Sequence, residues 1–472
     1  MTQIEPKYNS SRPASHYTVE NLPLGWRHIR IVFVASLGQL IGTGVATLAG
    51  IIIPLLNIIH HPELSSALQG LIGAADLIGI VLGSVVLGRL SDRYGYLPFF
   101  RLGPLFMLGA AVLSIFVANV WVLIGCLFVI GFFIGGEYSL DSDYISELLP
   151  VRWRSTMIGI AKAASALGNV AVAGVCWWVV ASWHTADDWA SLMWIIAAIA
   201  GLMFLCRIRF WGSPAWLLAH GYREKAEKAL HNFLGNDVEL PSLSADASNK
   251  SDNSPSQESL GSFVRKNMGK VILSGIPWAC EGLGVYGIGI FLPILVMSLG
   301  LEPSAVTVSP IEHVASSVEI TFWISCIILP GFILGIWLVS RKAYIPRLQW
   351  IGFWGCGVTL IVLLLAYQFH WATWISILAF MLFELLLNMG PHLVTYLLPP
   401  AIYPVADRGQ GSGIAAAIGK IGAVLAVFII PVLLKWGGVV LVLGVSAAIM
   451  AVGALVTMIY GPKIMPQDEK KV

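Results

Sequence analysis

The chain has 472 residues, 57% of them hydrophobic and only 11% charged, with a formal net charge of +2 and a mean hydropathy of +0.80. A chain this apolar is excluded as a soluble domain, and its weak net charge gives no reason to expect a nucleic-acid partner. Its length leaves room for many bilayer crossings of about 20 residues each.

In chain order, twelve apolar stretches stand out, at about 29–57, 65–89, 99–118, 121–147, 154–182, 188–209, 269–298, 319–340, 349–368, 373–399, 410–435 and 438–460. Helices are the economical way for such runs to cross a bilayer, because every backbone polar group is then satisfied within the segment. The first 28 residues show no signal-peptide pattern, so the first stretch reads as a retained span. The longest polar interruption, about 211–268, divides the spans six and six. It opens with Ser213-Pro214 and carries helical apolar spacing beside charges as far as Leu230, the pattern of a surface-lying amphipathic helix. Residues 239–262 are rich in Ser, Asn and Asp and read as disordered.

The predicted plan is an all-α polytopic membrane protein with twelve transmembrane helices. It comprises a tail (1–28), a six-helix half (29–210), the linker (211–268), a second six-helix half (269–460) and a short tail (461–472). Of the 28 Lys and Arg residues, 25 fall on the face carrying both termini, Lys435 falls on the other, and Lys162 and Lys420 fall inside the membrane. The positive-inside rule then puts both termini in the cytoplasm, at a cell membrane, with the basic residues facing anionic lipid. Cys126, Cys176, Cys206, Cys280, Cys326 and Cys356 all lie in apolar spans without CxxC spacing, which predicts neither disulfides nor a metal site.

Between spans 2 and 3 runs Gly88-Arg-Leu-Ser-Asp92-Arg93-Tyr-Gly95-Tyr-Leu-Pro98. Here Gly88 allows close approach of the helix end to a neighbour, Asp92 can satisfy helix N-terminal amides or an arginine, and Gly95 turns the chain back at the membrane surface. After span 4, Glu147-Leu-Leu-Pro150-x3-Arg154 leads to Gly159-Ile160, and after span 10, Pro404-x3-Arg408 leads to Gly413-Ile414 at the same spacing, an internal repeat. The loop between spans 2 and 3 resembles that of the major facilitator superfamily of transporters. Glu147-x6-Arg154 and Ser213-Pro-Ala-Trp-Leu217 resemble its sugar porter and metabolite symporter branch. Gly135-Gly-Glu137-Tyr138, Trp278 with Tyr286-Gly287, Asn388-Met-Gly-Pro-His392 and Gly413 to Lys420 are similar to the phosphate:proton symporters.

The resemblance implies two six-helix halves alternating around a site near the membrane midplane. It also implies a gating latch, for which Gly88, Asp92, Arg93, Gly95, Glu147, Arg154 and Arg408 are the candidates. There are departures. The phosphate symporters carry aspartate where this chain has Glu137 and Gly282, asparagine where it has His392, and usually an acid in span 1, where this chain has none. These departures argue against phosphate itself.

Ionisable groups inside spans are costly, about 2.5–3.5 kcal/mol each at the centre on insertion scales, and tend to have a use. Glu137 follows two glycines that permit close packing and suits proton carriage. Lys162 lies at the depth of Asp141, a turn from Glu137, either as a structural pair or as an anion contact. Asp141 and Asp143 suit pairing around span 4, with Tyr138 beside them. Asp76, mid-span, can serve as the acid missing from span 1 or as an inter-helix hydrogen-bonding group. Glu281 shares a face with Trp278, and Tyr286 also falls inside span 7. Glu384, Asn388 and His392 stand one turn apart and form a polar stripe in span 10. Lys420 is either structural or a substrate contact, and Gly390-Pro391 bends span 10.

These residues predict a secondary active transporter for a small polar or charged metabolite, an organic anion or phosphate-like species being favoured, coupled to protons as a symporter and working as a monomer without cofactor. No nucleotide-binding lysine motif is present, and neither a nucleophile–base set nor a metal cluster points to an enzyme. The excess of buried acids keeps open export of an organic cation or drug against protons. A transporter-like nutrient sensor would show the same spans.

Overall fold

In the computed structural model, the structure describes residues 17–60, 63–183, 185–235, 238–239, 260–301, 309–341, 344–403 and 408–465. Eleven helical runs among them are long and apolar enough to cross a membrane. The last, Arg408–Ile464, breaks at Gly438, whose φ of 62° is non-helical, and so makes two crossings, spans 11 and 12.

In the first half the spans are Trp26–Ile59, Ser66–Tyr94, Leu97–Phe116, Val120–Leu148, Val151–Val180 and Met193–Arg207, the sixth led in by a 3-10 turn over Asp187–Leu192. Span 7 runs from Met268 to Gly282, loosens into a π-helical segment at Leu283–Ile288 and resumes at Leu292–Ser298. Span 8 is Pro310–Ser325 continued by Ile328–Ser340, span 9 is Ile345–Gln368, and span 10 is Thr373–Met389 continued by Pro391–Ile402. An even number of crossings puts the two chain ends on one side, called here the terminal face.

Span 8 starts at Pro310 rather than near 319. Its first turns carry Glu312, His313 and Glu319, which lower the apolar signal. The helix is instead announced by its cap: Ser309 Oγ accepts from the Glu312 amide at 3.4 Å, Glu312 Oε2 accepts from the Ser309 amide at 2.8 Å, and proline holds the first position. The linker also differs from expectation. Two helices, Pro214–Ala219 and Arg223–Leu234, replace the single one, separated by Gly221 at φ 80°. The second buries Ala226, Ala229, Leu230, Phe233 and Leu234, and its lower apolar side chains join Ile31, Phe100, Tyr144 and Phe210 in a cluster under the terminal face. Tyr17–Thr18 pairs in parallel with Val238–Glu239, which binds the start of the chain to the linker. Of the stretch expected to be disordered, residues 240–259 lie outside the described residues.

Glycines set the helix spacing inside each half. Gly79 and Gly83 of span 2 seat against the Phe128 and Phe132 carbonyls of span 4, while Gly131 and Gly135 of span 4 seat against the Asp76 and Ile80 carbonyls of span 2. Without side chains at these four positions the two backbones touch, the usual route to tight helix association in lipid. The second half repeats the device, with Gly331 and Gly335 of span 8 against the Leu385 and Met389 carbonyls of span 10.

The halves meet on the face away from the termini. A methyl at Gly50 of span 1 would overlap the Ile290 carbonyl of span 7, Gly70 of span 2 abuts Phe428 of span 11, and Gly174 of span 5 abuts the Phe322 ring of span 8. Trp177 stacks on Phe322 with centroids 5.6 Å apart. Contacts of this closeness seal that end of the interface.

Gly131→Leu should lower stability by about 1–3 kcal/mol or more, because the span 2 backbone occupies the space. Gly109→Leu, where nothing lies within 4 Å, should leave stability unchanged. Thermal unfolding of the detergent-solubilised variants checks the pair.

Candidate functional site

About midway along the interface lies a small cavity. Thr43 of span 1 and Ser165 and Asn169 of span 5 face it from the first half; Ser325 and Phe332 of span 8 and Glu384, Asn388 and His392 of span 10 face it from the second. Its first-half wall is fixed by Thr43 Oγ1 donating to the Ser165 carbonyl at 2.6 Å. Asn169 Oδ1 is buried there with no hydrogen-bond partner, an acceptor available to a ligand.

The span 10 stripe is one connected chain. Asn388 Nδ2 donates to Glu384 Oε2 at 3.1 Å, and Asn388 Oδ1 faces His392 Nδ1 at 2.8 Å. A carboxamide oxygen only accepts, so Nδ1 carries a hydrogen and Nε2 is left facing Glu281 Oε1 at 3.7 Å. Span 10 makes room for this by breaking: Gly390 leaves helical geometry at φ −113°, ψ −90°, and Pro391 restarts the helix without an amide donor.

Toward the terminal face the two intramembrane lysines converge on the same place from opposite halves. Lys162 Nζ lies 3.3 Å from Gln39 Oε1 and 4.3 Å from the ring centroid of Tyr396, across the interface in span 10. Lys420 Nζ donates to Tyr286 Oη at 2.9 Å. The two lysines lie within electrostatic range of each other, of Glu281 and of His392. Trp278 packs edge-on to Tyr396 at 4.9 Å, so the aromatic wall of span 7 backs this cluster. Asp76 is fully buried, its carboxylate has no hydrogen-bond partner outside its own helix, and Lys420 is its electrostatic neighbour.

Glu137 stands apart from this group. Its Oε2 is 2.5 Å from Nη1 of Arg207, the last residue of span 6, and both side chains are buried. Arg207 also donates to the Val34 carbonyl at 3.3 Å and the Phe100 carbonyl at 3.4 Å, with its guanidinium carbon 3.7 Å from the centroid of the Phe100 ring. Arg207, at the terminal-face end of span 6, does not face lipid as the charge map had the basic residues do; it is buried between spans 1, 3, 4 and 6. As one of a group with Arg209 at a span end it reads as boundary charge, and only the acid at Glu137 hints otherwise.

The side chains of Tyr138, Asp141, Asp143, Asp92 and Arg408 lie outside the described residues. Gly95 turns the chain at φ 87° beneath the Trp216 ring, and among the described residues none lies within 4 Å of where a methyl at Gly88 would stand. Glu147 accepts from the Ser213 hydroxyl, Arg154 Nε donates to the Leu149 carbonyl at 2.9 Å, and Arg93 lies 5.3 Å from the centroid of the neighbouring Tyr94 ring. Gln39, Thr43, Asn169, Ser325 and Tyr396 join the site without having been singled out as site residues. Gln39 and Thr43 share a helix face four residues apart in an otherwise apolar span, a signal that attention to charges alone passes over. Among the described residues, no cluster of His, Cys, Asp and Glu is set to hold a metal.

Residues 11–467 match the family described as "Sugar (and other) transporter". The chain belongs to this family of the major facilitator superfamily. The transporter is 27% identical over 451 residues to the inner membrane metabolite transport protein YgcS of Escherichia coli, covering 94% of each chain. It is 24% identical over 465 residues to a repressible high-affinity phosphate permease of Neurospora crassa, covering 88% of this chain and 80% of that one. Its fold is shared with the xylose transporter XylE from E. coli in a partially occluded inward-open conformation, with a TM-score of 0.75 at 20% identity over 95% of this chain and 100% of that one. This transporter is therefore a multi-span membrane carrier rather than an enzyme.

Removing one partner of a buried ion pair strands the other. Arg207→Met should cost about 3–5 kcal/mol, and adding Glu137→Leu should recover most of that loss. Denaturant unfolding of the single and double variants in micelles measures both.

Proposed function

We propose that this transporter carries a small anion, phosphate-like or carboxylate-bearing, together with protons, by alternation of the halves at residues 29–210 and 269–460. The observation that supports this most directly is that Lys162 and Lys420, one from each half, lie within electrostatic range of each other, each beside a tyrosine of the second half. An anion between them gains charge-assisted hydrogen bonds from both halves and so favours the arrangement that brings the halves together. The polar stripe and Asn169 then hold the substrate's remaining donors and acceptors.

Glu281 is the proton carrier in this reading. It faces His392 and senses both lysines, so a proton arriving on the Glu281–His392 pair changes the field that the substrate meets. Asp76, buried near Lys420 with no hydrogen-bond partner outside its own helix, is the second candidate. Glu137, engaged by Arg207, holds the first half together instead. The terminal face is cytoplasmic on the strength of its excess of cations, the latch residues close that side, and a single chain holds the whole site, so a monomer suffices.

Lys162→Ala and Lys420→Ala should each weaken anion counterflow roughly 10- to 100-fold in apparent affinity, the worth of a hydrogen bond to a charged group. Glu281→Gln should retain counterflow while losing substrate-driven proton movement. Proteoliposome assays check all three, and unchanged affinity in both lysine variants would contradict the anion site.

A further inference from the structure

A second cavity opens where span 1, the end of span 6 and the second linker helix meet under the terminal face. Arg27, Arg30 and Arg209 line it together with Asn232, over a floor that includes Phe210 and Phe233. Among the described residues no acidic side chain lines it, and no carboxylate pairs with any of the three arginines. Arg27 is already anchored, one guanidinium nitrogen donating to the Leu234 carbonyl that ends the linker helix. Three guanidiniums facing one space repel one another, and their planar forks match the oxygens of a phosphate.

The flanks of the cavity are apolar and point outward. Trp26, Ile29 and Phe33 on span 1, and Leu205, Ile208 and Trp211 around the end of span 6, are all exposed in the isolated chain. Two tryptophans at the rim and a lipid-facing strip running away from the arginines describe an interfacial position, where a headgroup sits with its acyl chains along the helices.

We infer that Arg27, Arg30 and Arg209 form a seat for a phosphate group, separate from the transport cavity, that clasps the linker helix to spans 1 and 6. The bilayer source is an anionic phospholipid, and the soluble source is inorganic phosphate or a phosphate ester. An occupant would neutralise the three charges and join the linker to the first half, so its binding should appear as stability rather than as a change in the transported substrate.

The experiment compares the full-length protein with Arg30→Gln/Arg209→Gln, which leaves the Arg27 contact to Leu234 intact, and separately with Arg27→Gln. Thermal unfolding in micelles is measured on addition of phosphatidylglycerol, phosphatidylcholine or inorganic phosphate, with native mass spectrometry counting retained lipid. Phosphatidylglycerol alone should raise the midpoint of the unaltered protein by several degrees, and the double variant should hold that lipid at least about tenfold more weakly. Stabilisation by inorganic phosphate that is lost in the same variant would also support the seat and make its source soluble. Equal stabilisation and equal retention in the unaltered and variant proteins would overturn it, as would equal response to phosphatidylcholine. Anion counterflow at saturating substrate should be unchanged in the double variant, which keeps a failure of the seat distinct from a failure of the transport site.

Discussion

A guanidinium with no exposure, buried between helices, must find acceptors around it, and Arg207 finds them on three other helices. The Glu137 carboxylate of span 4, the Val34 carbonyl of span 1 and the Phe100 carbonyl of span 3 converge on the end of span 6. Charge is costly in this environment, so any motion separating these helices strands a charge or a carbonyl. The glycine contacts between spans 2 and 4 complete the constraint. The first half is therefore built to move as one body.

The other buried charges are arranged differently. Lys162 belongs to the first half but rests against Tyr396 of the second, while Lys420, Glu281 and His392 belong to the second and lie within its field. A charge satisfied inside one half is fixed; a charge satisfied across the interface is remade each time the halves move. The face away from the termini is sealed by close contacts at Gly50, Gly70 and Gly174, so the lysine cluster sits on the terminal side of a closed end. On the proposed reading, an anion and a proton bound beside the two lysines would make loading and movement depend on one another.

The spans were legible because runs of about 20 apolar residues have few other uses, and the stripe at Glu384, Asn388 and His392 was legible because helical periodicity places residues four apart on one face. What could not be read was which charge meets which. Glu137 reads from its two preceding glycines as a proton carrier, yet it turns to Arg207 at the end of span 6, while Lys162, at the depth of Asp141, also reaches Gln39 and the Tyr396 ring. Rotation of a helix about its axis decides such partners, and depth says nothing of rotation. Polar helix starts hid the beginning of span 8, and a single glycine at 221 divided a linker helix whose apolar spacing reads as continuous.

The most direct test is proton movement in liposomes containing the purified protein and an internal pH dye, with phosphate, organic anions, sugars and organic cations added in turn. The anion site between Lys162 and Lys420 predicts proton entry that depends on an anion and is absent with sugars and cations. Proton movement driven only by organic cations would contradict it, and would assign the buried acids Asp76, Glu281 and Glu384 to substrate in place of the lysines.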